Sequence, residues 1–282
     1  MISSLETPLI LGGGGITGLC RLAGVFLALE REGITYTSIH GTSAGAIAGA
    51  MLAAGHSPVK IANIINSLTD ADLRDKVFLW QLRMYWLDSI FKTDKIWALL
   101  NNLLPASFND LKIPISSWAV NMESEALVNT MRPELSETPT EAVLASMSIP
   151  CIFPPVKLLD GQSYGDGGLR ASVPVFIDMA TCEKVYIVIP SDRPHDYQGK
   201  DNMLTAAIRA MNILRNDEKL DLIDQFKDQD KVVVLWPDVP TDLGMMHVDH
   251  SLVKKTYDWT LTELNKRKGT CGNVTLSKGV CK

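Results

Sequence analysis

Short apolar runs alternate along the chain with longer stretches of helical spacing, as expected when strands and helices take turns. Pro8 to Leu11 reads as a short buried strand. It leads through Gly12-Gly13-Gly14-Gly15-Ile16-Thr17-Gly18 into a helix, LCRLAGVFLALEREG, that ends at Gly33. A β-branched run from Thr35 gives a second strand, and the Ala- and Gly-rich residues after Ser43 give a small-sided helix suited to close packing on a sheet. Ser57-Pro58 reads as a cap and first helical position for a helix reaching Leu68.

Further along, Phe78 to Leu104 is strongly apolar and aromatic but interrupted by charges. The pattern fits an amphipathic cover over an apolar cleft and equally a pair of core helices, with core favoured. Pro114 to Met122 and Ala126 to Thr130 read as strands, and Thr138 caps a helix that the proline-rich IPCIFPP run stops near Ser148. A strand pair from Val156 to Tyr164 delivers Gly165-Asp166-Gly167-Gly168. Lys184 to Pro190 and Lys231 to Pro237 read as buried strands separated by two helical stretches, Leu204 to Leu214 and Asp217 to Phe226. Ser251 to Lys266 gives a terminal helix, followed by a loose polar tail.

At 282 residues the chain has the length of one large α/β domain. Hydrophobic residues at 46% and charged residues at 21% are ordinary globular usage, so disorder is expected only at the ends. The net charge of −5 argues against a nucleic-acid surface. Five scattered cysteines show no metal-ligand spacing and point to a reducing compartment. The start lacks the basic and apolar pattern of a signal peptide, and no run is long enough for a membrane span. The expected location is the cytoplasm, with peripheral membrane contact open.

The candidate chemistry lies in two glycine-rich turns. Gly41-Thr42-Ser43-Ala44-Gly45 between a strand and a helix has the GxSxG form that lifts a serine onto a sharp elbow above a helix N-terminus, which suits an acyl-transfer nucleophile. Gly13, Gly15 and Gly18 satisfy GxGxxG, but the acidic residue that would hold a ribose is missing from Tyr36 to His40, so the dinucleotide reading fails. Consecutive backbone amides in this loop also suit a tetrahedral oxyanion. Asp166, flanked by glycines, is fixed with little bulk, as a catalytic carboxylate or an ordinary Asx-turn would be.

Taken in order, GGGGITG, GTSAGA, ASMSIPCIFPPV and GDGG resemble the patatin-like phospholipase family over roughly residues 7–190. The resemblance implies a three-layer α/β/α fold with a central, mostly parallel sheet. Together with the length and the pattern along the chain, it gives a single patatin-like domain over 1–282, with scaffold elements to about residue 267 and the loose tail from 268. It further implies hydrolysis of lipid acyl esters by a Ser-Asp dyad, without cofactor or metal, on lipid or phospholipid substrates. On matching positions Ser43 is the nucleophile, Asp166 the base, and the backbone of Gly13, Gly14 and Gly15 the oxyanion hole. The chain departs from the family at Thr17, where a cation is usual, and at Ala171 and Ser172, where asparagine is common. Those departures bear on substrate handling, and a cation near the hole would favour an anionic headgroup.

Two alternatives stay open. The order Ser43, Asp166, then His195, His247 or His250 matches a Ser-His-Asp hydrolase. A lipid-binding or scaffolding protein with weak turnover is the other, motivated by Thr17. His40 and His56 read as structural.

Overall fold

Residue alternation in β1 (Pro8–Leu11) sets the layering: Leu9 and Leu11 join one buried cluster, and Ile10 between them joins another on the opposite face. The computed structural model describes residues 5–73, 75–76, 89–194, 203–241 and 245–272. After β1 come α1 (Gly15–Arg31), β2 (Ser38–Thr42), α2 (Ala44–Ala53), α3 (Pro58–Ser67) and α4 (Asp70–Leu73). Two short strands, β3 (Asp75–Lys76) and β4 (Phe91–Lys92), pair with each other before α5 (Asp94–Leu103). Then follow β5 (Ile115–Asn121), β6 (Leu127–Asn129), α6 (Pro139–Met147), β7 (Val156–Lys157) and β8 (Ser163–Asp166). The described chain closes with β9 (Val185–Val188), α7 (Met203–Phe226), β10 (Val232–Leu235) and α8 (Ser251–Gly272).

The main sheet runs β10-β9-β1-β2-β5-β8-β7, with β6 also paired to β5. Its strands are parallel from β10 to β5 and antiparallel beyond. Tyr186, Val188, Val233 and Leu235 extend the first cluster, where Leu22 of α1, Ala48 of α2, Ile61 of α3 and Leu100 of α5 meet them. Val185, Ile187 and Val232 extend the second, covered by Leu222 and Phe226 of α7. Helices therefore sandwich a central, mostly parallel sheet in three layers, as the resemblance implies. Each fully buried Leu or Phe contributes about 1.5–3 kcal/mol.

Arg21, buried in α1, ties that helix to the ends of β9 and β10: it donates to the carbonyls of Pro190 at 3.1 Å and Val239 at 2.9 Å and pairs with Asp192. The capping chemistry is as the sequence predicts. Ser57 Oγ accepts the Lys60 amide at 3.2 Å, and Thr138 Oγ1 accepts the Glu141 amide at 3.3 Å.

Two boundaries differ from expectation. The two helical stretches around Asn216-Asp217 are one helix, α7, because Asn and Asp lower helix propensity by well under 1 kcal/mol each and supply no break. α8 continues through Gly269 to Gly272, so the loose tail expected from 268 begins with helix, and 273–282 lie outside the described residues. Of the aromatic segment Phe78 to Leu104, positions before 89 lie outside the described residues. The part that remains includes α5, which buries Ile96 and Leu100 and exposes 38% of Trp97.

Candidate active site

Strand register brings the sequence motifs to one edge. Leu11 pairs with Gly41, so the glycine loop and the serine turn leave β1 and β2 side by side. Thr42 pairs with Trp118, and the next residue of β5, Ala119, pairs with Asp166. One row across β2, β5 and β8 therefore carries Ser43 and Asp166 together, although they lie far apart in sequence.

Ser43 sits between β2 and α2 with φ 55° and ψ −122°, a left-handed conformation that costs a non-glycine residue on the order of 1–3 kcal/mol. The surroundings hold it there. A Cβ on Gly45 would come within 2.1 Å of the Leu11 carbonyl oxygen, and one on Gly41 within 2.6 Å of the Gly45 carbonyl oxygen, so both glycines are fixed by close approach. The Ser43 amide donates to Ser146 Oγ at 3.0 Å, and Ser146 in turn donates to the Trp118 carbonyl at 2.6 Å. Sequence reading missed Ser146, whose only trace was its place in the ASMSIP motif.

Asp166 is 1% exposed. Its amide donates to the Ser148 carbonyl at 2.8 Å, and its Oδ1 accepts the Gly168 amide at 2.7 Å. The end of α6 thus holds both residues, Ser43 through Ser146 and Asp166 through Ser148. Burial pushes the Asp166 carboxyl above the usual carboxylate range, opposed first by Arg215, then by the Ser43 hydroxyl and the Gly168 amide. Ser43 is therefore within interaction range of Asp166. Oδ2 nonetheless has no partner among the described residues that meets hydrogen-bond geometry, so the contact is looser than a closed hydrogen bond.

The glycine loop divides. A Cβ on Gly13 would lie 3.4 Å from Ser43 Cβ, so the loop packs directly on the elbow. The Gly13 amide, however, donates to the Ser172 carbonyl at 2.8 Å. Gly14 and Gly15 amides have no acceptor among the described residues, whereas those of Ile16 and Thr17 donate to the Met245 carbonyl at 2.7 and 3.3 Å. Thr17 is 1% exposed and its hydroxyl donates to the Gly14 carbonyl at 3.3 Å. Its side chain is therefore buried against the loop.

From Ser43 and Gly15 an apolar cavity of about 60 Å³ runs under the helices. Its walls are Leu19 of α1, Ile47 and Met51 of α2, Ile64 and Ile65 of α3, Leu73 of α4, and Ile96, Leu99, Leu100 and Leu103 of α5. Met147, Phe153 and Met246 also line it. Such a lining takes hydrocarbon.

The described histidines make other contacts. His247 Nδ1 meets Asp70 Oδ2 at 2.9 Å, His250 the Leu68 carbonyl at 2.9 Å, His56 the Leu103 carbonyl at 2.6 Å, and His40 the Ser38 hydroxyl at 3.5 Å. His195 lies outside the described residues. Among the described residues there is no cluster of three or more His, Cys, Asp or Glu able to hold a metal ion, and no helix long and apolar enough to cross a membrane.

A family model described as patatin-like phospholipase matches residues 9–179. The chain belongs to the patatin-like phospholipase family. Among its relatives, the uncharacterized protein YqhO of Bacillus subtilis is 29% identical over 192 residues, covering 60% of this chain and 65% of that protein. Lysophospholipase NTE1 of Meyerozyma guilliermondii is 26% identical over 184 residues, covering 62% of this chain and 12% of that protein. The chain therefore spans less than two thirds of either relative. The fold is shared with VipD from Legionella pneumophila at a TM-score of 0.53 and 15% identity, over 93% of this chain and 67% of that one.

Proposed function

We propose that this patatin-like protein hydrolyses acyl esters of lipids, with Ser43 as nucleophile and Asp166 as general base. The observation that carries the reading is the strained Ser43 elbow, beside a buried aspartate and opening onto an apolar cavity. Membership of the family and the similarity to a fungal lysophospholipase support a lipid ester as substrate.

The acyl chain occupies the cavity and brings its carbonyl to Ser43. Asp166 takes the hydroxyl proton as Ser43 Oγ attacks, and the proton then passes to the leaving alcohol oxygen as the ester bond breaks. A water molecule, deprotonated by Asp166, releases the fatty acid and restores Ser43. A carboxyl raised by burial is a better base near neutral pH than one in water. The oxyanion is met by the amides of Gly14 and Gly15, with Gly13 as the spacer that sets the loop against Ser43; losing one such donor costs about 10²–10³ in kcat. The reaction draws on no metal or cofactor.

The test is labelling with a fluorophosphonate probe and mass mapping of the modified residue. Modification at Ser43, lost in Ser43→Ala along with esterase turnover, is expected. Turnover within about tenfold of the parent in Ser43→Ala, a loss under about 1.4 kcal/mol, would refute the assignment.

A further inference from the structure

Arg215 reaches the site from α7, the helix on the far face of the sheet. Its Nε donates to the Gly168 carbonyl at 2.7 Å, and its Nη2 stands 3.8 Å from Asp166 Oδ1. Nη2 is buried without an acceptor among the described residues, and Asp166 Oδ2 is buried without a donor. The guanidinium is anchored to the backbone by one edge and presents charge to the carboxylate by the other. With the Arg215 side chain 14% exposed and that of Asp166 1%, water screens the pair little.

Glu218 follows one turn later on the same helix face. It accepts the Ser172 amide at 2.9 Å and the Val173 amide at 3.4 Å, and the Ser172 carbonyl takes the Gly13 amide at 2.8 Å. One helix thus grips the aspartate turn directly and the glycine loop through Ser172.

We propose that Arg215 is a positioning residue for Asp166: it fixes the Asp166–Gly168 turn against α7 and holds the carboxylate in the ionised form that can take a proton from Ser43. This rests on the Ser-Asp reading above. Burial drives the Asp166 carboxyl up, and Arg215 is the strongest influence drawing it down. The neighbouring charges on α7 are Glu218, pushed up by burial, and Lys219, pushed down to about 8 by burial with Arg215 adding. Glu218 and, more weakly, Asp192 oppose that shift. An opposite charge this close moves a carboxyl by about one to three pH units.

The experiment compares wild type, Arg215→Met and Arg215→Lys by two readouts. One is the pH dependence of kcat and KM on a neutral ester, and the other an NMR titration of Asp166 in aspartate-labelled protein. In Arg215→Met the acidic limb of kcat and the Asp166 titration should move up together by about one unit or more, with KM little changed and kcat recovering at alkaline pH. Arg215→Lys should restore most of both. Thermal melts establish that each variant is folded, and Arg215→Gln replaces the Met variant if that one is not. An Asp166 titration unchanged in folded Arg215→Met overturns the proposal, whatever the turnover. If the titration moves while Ser43→Ala keeps its activity, the Arg215–Asp166 coupling stands and the Ser43 reading falls.

Discussion

The Met245 carbonyl accepts the Ile16 amide at 2.7 Å, so the first turn of α1 is capped by a residue from near the other end of the described chain. The capping segment is tethered by Asp70, which accepts from the Val248 amide at 2.8 Å and meets His247 Nδ1 at 2.9 Å. Asp70→Ala should loosen residues 245–250 and speed hydrogen exchange at the Ile16 and Thr17 amides several-fold, with the β1 amides unchanged. Equal exchange in both proteins would show that the tether does not hold the cap. Met246 lines the cavity, so the same variant should also weaken discrimination between short and long acyl chains.

Asp166→Asn should separate stability from turnover. The folded pKa is raised above the unfolded one, so the folded protein holds this proton more tightly. The penalty for ionised Asp166 is absent below the unfolded pKa of about 3.9 and grows as pH rises through the interval up to the folded value. An asparagine never ionises. The variant should therefore melt higher than wild type at neutral pH, with the gain vanishing in acid, while turnover falls about 10²–10⁴-fold. Melting curves across pH together with ester assays check both halves.

Ser146→Ala removes the hydroxyl that joins the Ser43 amide to the Trp118 carbonyl. The buried Ser43 amide then loses this partner, at a cost of about 1–3 kcal/mol, and the part-buried Trp118 carbonyl loses this donor. Denaturant unfolding should show that loss, and kcat should fall more than KM rises because the elbow is no longer fixed. A variant as stable and active as wild type would mean that the packing around Gly41 and Gly45 alone holds Ser43.

Thr17→Arg places at this position the cation usual in the family. Thr17 is 1% exposed, with its hydroxyl on the Gly14 carbonyl, so a charged side chain placed there starts from a buried Cβ and has to be desolvated. A lower melting temperature is expected, with no gain in preference for anionic phospholipid over neutral ester. A stable variant that prefers the anionic lipid would show that the arginine finds a way to solvent.

The pattern of the chain itself determines β1, the glycine loop, the GxSxG turn and the glycine-flanked Asp166, because these depend on local signals: an apolar run, a turn that only glycine permits, a capping serine or threonine. Gly41 and Gly45 announce the elbow because close backbone approach excludes any side chain there. Tertiary structure alone decides what holds and tunes these parts. Ser146 reads as an ordinary helical serine until the sheet register sets it under Ser43, 103 residues away. Arg215 and Glu218 carry no signal in the sequence, and only the packing of α7 over the sheet brings them to Gly168 and Ser172. Thr17 changes meaning because α1 begins at Gly15, earlier than its apolar spacing suggests, which turns the side chain inward. The Gly13 amide reads as a free donor in a glycine-rich loop, and only the fold supplies the Ser172 carbonyl that occupies it. Local sequence fixes which conformations a segment can adopt; the partners of its polar groups are set by whichever distant segments the packed sheet and helices bring within about 3 Å.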